Sequence, residues 1–217
     1  MRRTAVTALL AVVVFTLLFG LAYPLAMTGV SQVVFPGKAD GSKVNVNGRL
    51  VGSSLIGQSF SRPAIGNDGT PKLDEEGEEI LVPDRRYFQP RPSQTGYSAS
   101  VTYFSNSGPN SVEEREAVRE ELAAYIRLEK PYDKSLTAAD VPVDAITMSG
   151  SGVDPEISEA NAKIQARRIA AVRRLPLSRV EDLISAHTNG RFLGVFGEPG
   201  VNVLQLNLAL DEEAPIK

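Results

Sequence analysis

The run TMSGSGVDPEIS at residues 147–158 has the residue types of a phosphate-binding turn: a β-prone apolar stretch leads in, two glycines follow, and a helix start comes after. Glycines let a backbone approach an anion closely, and the N–H groups that open a helix point at it. Ser149, Gly150, Ser151 and Gly152 are therefore the candidates for holding a nucleotide or a bare anion. The fuller patterns are absent. A Walker loop needs a lysine for the terminal phosphates and a hydroxyl for magnesium, and residues 147–158 contain no lysine. In the dinucleotide pattern GxGxxG, Pro155 stands at the third glycine and offers no N–H. Asp154-Pro155 or Ser158 remains as a helix start, which makes the turn ordinary and leaves anion binding as the alternative.

Two other stretches invite chemistry. DKSLT at 133–137 imitates the aspartyl-phosphate site of P-type ATPases, but its glycine and one threonine are changed and no strand precedes it. His187 could act as a general base, yet no nucleophile elbow accompanies it. As the last member of the helical stripe Val180, Leu183, Ile184 and His187, it reads as a packed or capping residue. With no cysteine and one histidine, disulfides, thiolate nucleophiles and multi-histidine metal sites are excluded.

The elements that would position these residues follow from periodicity and punctuation. Val44 and Val46 alternate before Asn47-Gly48, a pair suited to positive φ, so a tight hairpin is expected. Residues 66–84 are rich in acid, glycine and proline and read as a solvated loop. Ser111 with Glu114 forms a capping-box pattern. A helix with the stripe Val118, Leu122, Tyr125 and Ile126 then runs to about Glu129. Residues 141–148 are expected as a short strand. A second helix spans 159–175, with Ile164, Ala171, Val172 and Leu175 inward and Arg167, Arg168, Arg173 and Arg174 outward. A third helix starts at the Ser178–Glu181 capping pattern and closes at Gly190. Leu204, Leu206, Leu208 and Leu210 alternate as one face of a final strand.

Residues 5–27 carry no charge and are almost wholly apolar. As a helix they reach about 34 Å, enough for a hydrocarbon core of about 30 Å. The run is longer than a signal-peptide core, and Tyr23, Pro24 and Leu25 blur any cleavage pattern. Arg2 and Arg3 place the N-terminus in the cytoplasm by the positive-inside bias and the rest outside. Beyond them the chain holds 21 basic and 26 acidic side chains, a balance that suits cations and argues against nucleic acid. The expected fold class is α+β: a single N-terminal transmembrane helix within residues 1–30, then a small extracytoplasmic domain, 31–217, with helices packed on a sheet.

Several motifs in fixed order extend this reading: GQSFSRP at 57–63, YFQPRPSQTGYS at 87–98, SNSGPNS at 105–111, VPVDAITMSGSGVDPEIS at 141–158, AHTNGR at 186–191 and LGVFGEPGVNVLQLNLALD at 193–211. Together they resemble the C chain of the Kdp-type potassium-transporting P-type ATPase over nearly the whole length. Phe88-Gln89-Pro90-Arg91-Pro92 departs from the usual Phe-x-Gly-Arg-Pro. Tyr103-Phe104-Ser105-Asn106 replaces Gly-Gly-Ser-Asn, and residues 66–84 look like an acidic insertion.

The resemblance implies a non-catalytic accessory subunit in the cytoplasmic membrane. Its partners would be a potassium-channel-like subunit, an ATP-hydrolysing subunit and a small single-helix peptide. ATP, magnesium and potassium would act at the level of the complex and none would be a cofactor of this chain. The implied role is support of assembly and a raised ATP affinity of the hydrolysing subunit, as a catalytic chaperone. Gln94, Gly96, Tyr97, Asn106, Gly108, Pro109, Asp154, Pro155 and His187 are the expected interaction or structural loop residues.

Overall fold

The computed structural model describes residues 1–98, 100, 101, 103, 106–108 and 110–216, which fall into two compact units, Met1–Ser53 and Ser54–Lys217. The first opens with α1 (Arg2–Leu17), a π-turn (Leu18–Ala22) and α2 (Tyr23–Val34) in one continuous run. The π-turn sits where Pro24 cannot donate to the carbonyl four residues back. The Tyr23 N–H reaches back five residues to the Leu18 carbonyl instead. Arg2–Val34 is the one helix among the described residues long and apolar enough to cross a membrane. After the short α3 (Pro36–Ala39) comes the expected hairpin, β1 (Lys43–Val46) against β2 (Arg49–Ser53). Asn47 (φ 51°) and Gly48 (φ 77°) make its turn, as the positive φ of a primed turn requires.

In the second unit, β3 (Ser61–Pro63) and β4 (Leu81–Pro83) form an antiparallel pair. The acidic stretch between them is no open loop. Bridges at Ile65–Pro71 and Leu73–Glu79 zip it into turns, with Asp74 Oδ1 accepting the Glu76 and Glu78 N–H groups. α4 (Val112–Glu129) starts as expected at Ser111, whose Oγ accepts the Glu114 N–H at 3.1 Å. The unit continues with β5 (Glu156–Ile157), α5 (Glu159–Arg173), α6 (Leu177–Ala186), β6 (Thr188–Asn189), β7 (Gly200–Asn202) and α7 (Val203–Glu213). The three last-named strands form an antiparallel sheet in the order β5-β7-β6. The core joins Ala162, Ala166 and Ile169 of α5, Val180 and Ile184 of α6, and Leu206 and Leu210 of α7. Ala170, Leu183, Phe88, Ile157, Val201 and Val203 belong to it as well. The class is α+β.

Four expectations are corrected. Residues 141–148 are not a strand: they follow a 3-10 turn at Ala138–Asp140 and contain a second at Val143–Ala145. Asp140 caps the first through Thr137, and Pro142 cannot donate to a strand partner. The C-terminal leucines lie on α7, where Val203, Leu204, Leu206, Asn207 and Leu210 are buried at helical spacing. Apolar residues at nearly every second position satisfy both periods, and the cap decides: Asn202 Oδ1 accepts the Gln205 N–H at 3.0 Å. α6 begins after Pro176 rather than at a Ser178 cap, and it ends at His187, ahead of Gly190. Arg168 is not on an outer face. It is wholly buried, while Ala171 is exposed and Ile164 only half-buried.

Candidate functional site

The glycine-serine turn is built from its own polar groups. Ser149 donates its N–H to Pro92 O (2.8 Å), Gly152 its N–H to Ser149 O (3.1 Å). Asp154 N–H donates to Ser149 Oγ (3.3 Å) and Val153 N–H to Ser151 Oγ (3.2 Å). Four of the amides that a phosphate would need therefore already donate elsewhere. Gly150 and Ser151 are exposed, whereas Ser149 and Gly152 are buried. Gly152 holds φ 73°, and a Cβ there would meet Thr95 Oγ1 at 2.6 Å, so glycine serves packing at this position.

The helix start behind the turn is occupied too. Ser158 caps α5, its Oγ accepting the Asn161 N–H at 3.1 Å. Asp144 takes the place that an anion would fill: its carboxylate accepts the Ser158 N–H (2.8 Å), the Ser158 hydroxyl (2.7 Å) and Asn161 Nδ2 (3.1 Å). The anion at this N-terminus belongs to the protein.

A second loop, 91–98, is stitched to the first. Ser93 Oγ donates to Gly152 O at 2.6 Å and accepts the Tyr97 N–H at 3.0 Å. Arg91 pairs with Asp154 at 3.0 Å and donates to Met148 O at 3.3 Å. The Tyr97 hydroxyl turns back onto Arg91 O. Its backbone is left-handed (φ 65°), beside Gly96 (φ 58°). Burial pushes the Tyr97 phenol up, and the Asp154 charge adds to this, so it stays a neutral donor. Gly57 N–H closes the assembly on Val153 O at 2.7 Å, so near that a Cβ on Gly57 would run into the Asp154 carbonyl.

Beside this double loop lies a pocket of about 250 Å³, lined by Arg91, Ser93 and Tyr97, by Glu121 and Tyr125 of α4, and by Met148 among others. Burial raises the Glu121 carboxyl, with Glu120 adding to the shift, and burial raises the Tyr125 phenol. The Tyr125 hydroxyl donates to Asn161 Oδ1 at 2.9 Å.

Of the expected loop residues, Tyr97 and Asp154 come together with the anion candidates Ser149 and Gly152, and Gln94 and Gly96 lie on the Tyr97 turn. Pro155 O accepts the Val203 N–H. Asn106 and Gly108 are exposed, Gly108 O accepting the Ser111 N–H at the head of α4. Pro109 lies outside the described residues. His187 stands apart: it ends α6 with Nδ1 against Leu183 O at 2.8 Å, and among the described residues no hydrogen bond joins it to the turn. No cluster of three or more possible metal ligands occurs among the described residues.

The site holds two loops against each other, and those loops, 91–98 and 149–154, fall within the motifs quoted above. Residues 5–212 match the family described as KdpC, the K+-transporting ATPase c chain. The chain belongs to the KdpC family. It is 41% identical to the potassium-transporting ATPase KdpC subunit of Streptomyces coelicolor, over 97% of this chain and 92% of the relative. The KdpC subunits of Beijerinckia indica and Mycobacterium tuberculosis H37Rv are each 42% identical over 97% of this chain, covering 94% and 99% of their own lengths.

The polar residues that hold this KdpC chain's loops escaped periodicity. Asn207 accepts the Phe88 N–H (2.9 Å) and donates to Phe88 O (3.0 Å), while Gln165 does the same for Gln89 (2.7 and 3.0 Å). Two side-chain amides thus replace the strand partners of residues 88–89. Arg168 donates to Glu129 Oε1 (2.8 Å), Gln165 Oε1 (2.9 Å), Arg85 O (2.6 Å) and Tyr87 O (2.9 Å). Asn161, Gln165 and Arg168 recur at helical spacing, which resembles a solvated face. The signal for Asn207 was one of two polar residues that interrupt a leucine run, the other being the exposed Gln205.

Proposed function

We propose that this KdpC chain is a non-catalytic accessory subunit of a high-affinity, ATP-driven potassium import pump. Helix Arg2–Val34 anchors it in the cytoplasmic membrane, with Arg2 and Arg3 inside and the domain of residues 31–217 outside. Its partners are a potassium-channel-like subunit, the ATP-hydrolysing subunit and a small single-helix peptide. The chain supports their assembly and raises the ATP affinity of the hydrolysing subunit through contacts within the complex. The observation that carries this reading is the KdpC match over residues 5–212 combined with a candidate nucleotide turn in which the Ser149, Gly152, Val153 and Asp154 amides and the α5 N-terminus are already engaged, by Pro92, Ser149, Ser151 and Asp144. Loops 91–98 and 149–154 then serve as a rigid docking block.

The test compares assembled pumps carrying the wild-type chain or Ser151→Ala. Ser151 is exposed, and its hydroxyl accepts the Val153 N–H at 3.2 Å and shares a hydrogen bond with Ser149 Oγ at 3.2 Å. The expected result is an unchanged apparent ATP KM. A rise of tenfold or more with unchanged complex yield would favour direct nucleotide binding by the turn. Protease added to sealed vesicles gives the orientation, because cleavage of residues 54–217 from the cytoplasmic face alone would reverse the topology.

A further inference from the structure

Residues 192–196, Phe-Leu-Gly-Val-Phe, fold into a hairpin closed on itself. Phe192 N–H donates to Phe196 O (2.8 Å) and Phe196 N–H to Phe192 O (2.9 Å). Gly194 N–H donates to Arg191 O (3.0 Å) and Val195 N–H to Phe192 O (3.2 Å). Leu193 (φ 53°) and Gly194 (φ 76°) make the turn, and the two phenyl rings pack 6.5 Å apart. Phe192, Leu193, Val195 and Phe196 are 70%, 75%, 70% and 64% exposed, and none belongs to the hydrophobic core. Such a concentration of large apolar side chains on one tip is what a water-facing surface avoids.

We infer that residues 192–196 are an apolar finger that enters the interfacial layer of the bilayer in which the same chain is anchored. Three observations favour lipid over a protein socket. Four of the five N–H groups of residues 192–196 already donate within the turn, to Arg191 O, Phe192 O and Phe196 O, which lowers the cost of carrying peptide units into a water-poor layer. No side chain from 192 to 197 can donate or accept a hydrogen bond, whereas a protein interface ordinarily fixes register with polar groups. Polar Arg191 and Glu198, paired at 2.7 Å, stand at the neck, the level at which headgroups would lie. The bilayer is supplied by the chain itself, because Arg2–Val34 is long and apolar enough to span it. The covalent tether keeps the lipid at high effective concentration, so a small apolar tip suffices for partial insertion. The inference rests on that helix being retained, and not on which side of the membrane the second unit occupies.

The chain lacks cysteine, so one introduced thiol can be labelled cleanly. Full-length Val195→Cys and, as an exposed control on α7, Glu212→Cys are spin-labelled and placed in vesicles of phosphatidylethanolamine and phosphatidylglycerol. The expected result is loss of broadening by an aqueous nickel complex at 195, with broadening by oxygen kept, and full aqueous broadening at 212. Adding Phe192→Ser with Phe196→Ser should restore aqueous broadening at 195 at an unchanged melting temperature. Aqueous broadening at 195 in the singly substituted chain overturns the inference. So does shielding that appears only when the other pump subunits are present, since a protein pocket would then cover the tip. Shielding that survives both serines also overturns it, as the label alone would be driving insertion. Flotation with the vesicles reads the anchor separately: a chain that does not float removes the basis of the inference, whatever the finger does.

Discussion

Replacing Arg168 with methionine tests the interior of the second unit most severely. Arg168 and Glu129 side chains are 0% and 1% exposed, and the guanidinium is the shared donor to α4, α5 and the backbone at Arg85 and Tyr87. Methionine fits the aliphatic volume but withdraws every one of these bonds. The Glu129 carboxyl is then left in the interior with no partner on either oxygen, because Oε2 already lacks one. Removing one partner of a buried ion pair costs about 3–5 kcal/mol, and two carbonyls losing a donor add about 1 kcal/mol each. A domain of this size shifts by about 2–4 °C per kcal/mol, so melting of the full-length chain in detergent, followed by circular dichroism, should fall by roughly 10 °C or more. Glu129→Gln together with Arg168→Met should recover part of the loss, since no charge remains buried. An Arg168→Met variant melting within about 1 °C of wild type would refute the reasoning and return Arg168 to the exposed helix face that its sequence spacing suggests.

Gly152→Ala should destabilise by about 2 kcal/mol, from left-handed backbone strain and displacement of Thr95. Gly150→Ala, whose Cβ meets open space, should stay within about 0.5 kcal/mol, both read from melting curves. For Asp84, burial would raise the carboxyl, but the hydrogen bonds and charge of Arg86 outweigh it and hold the group below its ordinary 3.8. Its contribution is therefore present above pH 3.8 and lost as pH falls through the lowered value, so the wild-type advantage over Asp84→Asn should vanish at the acid end of a pH series of melts. Glu129 has the opposite sign. Burial raises it above 4.5 against the pull of Arg168, so stability declines as pH rises through the raised value, and Glu129→Gln should flatten that slope.

Sequence spacing carried those elements whose signals are local. The Asn47-Gly48 turn, the Ser111 cap and the apolar Arg2–Val34 run each follow from a few neighbouring residues and their backbone preferences. It failed where two periods share one pattern, as for Leu204 to Leu210, and where polar residues face inward. Asn161, Gln165 and Arg168 look like a solvated stripe until residues far away in sequence supply partners, Tyr125 and Asp144 for Asn161 and residues 85–89 for Gln165 and Arg168. The 149–152 turn was legible as a turn with a helix start behind it. The occupancy of the α5 N-terminus by Asp144 was not, because that contact depends on the 3-10 turn at Val143–Ala145, which lies where a strand was expected.

We propose that this KdpC chain works as an accessory subunit of a potassium pump. The most direct test is affinity purification of the tagged full-length chain from membranes expressing the whole pump, with potassium-stimulated ATP hydrolysis measured on what is recovered. The expected result is co-elution of the channel-like subunit, the ATP-hydrolysing subunit and the small peptide, with potassium-stimulated hydrolysis in the eluate. Recovery of the tagged chain alone from membranes in which the other subunits are present would contradict it.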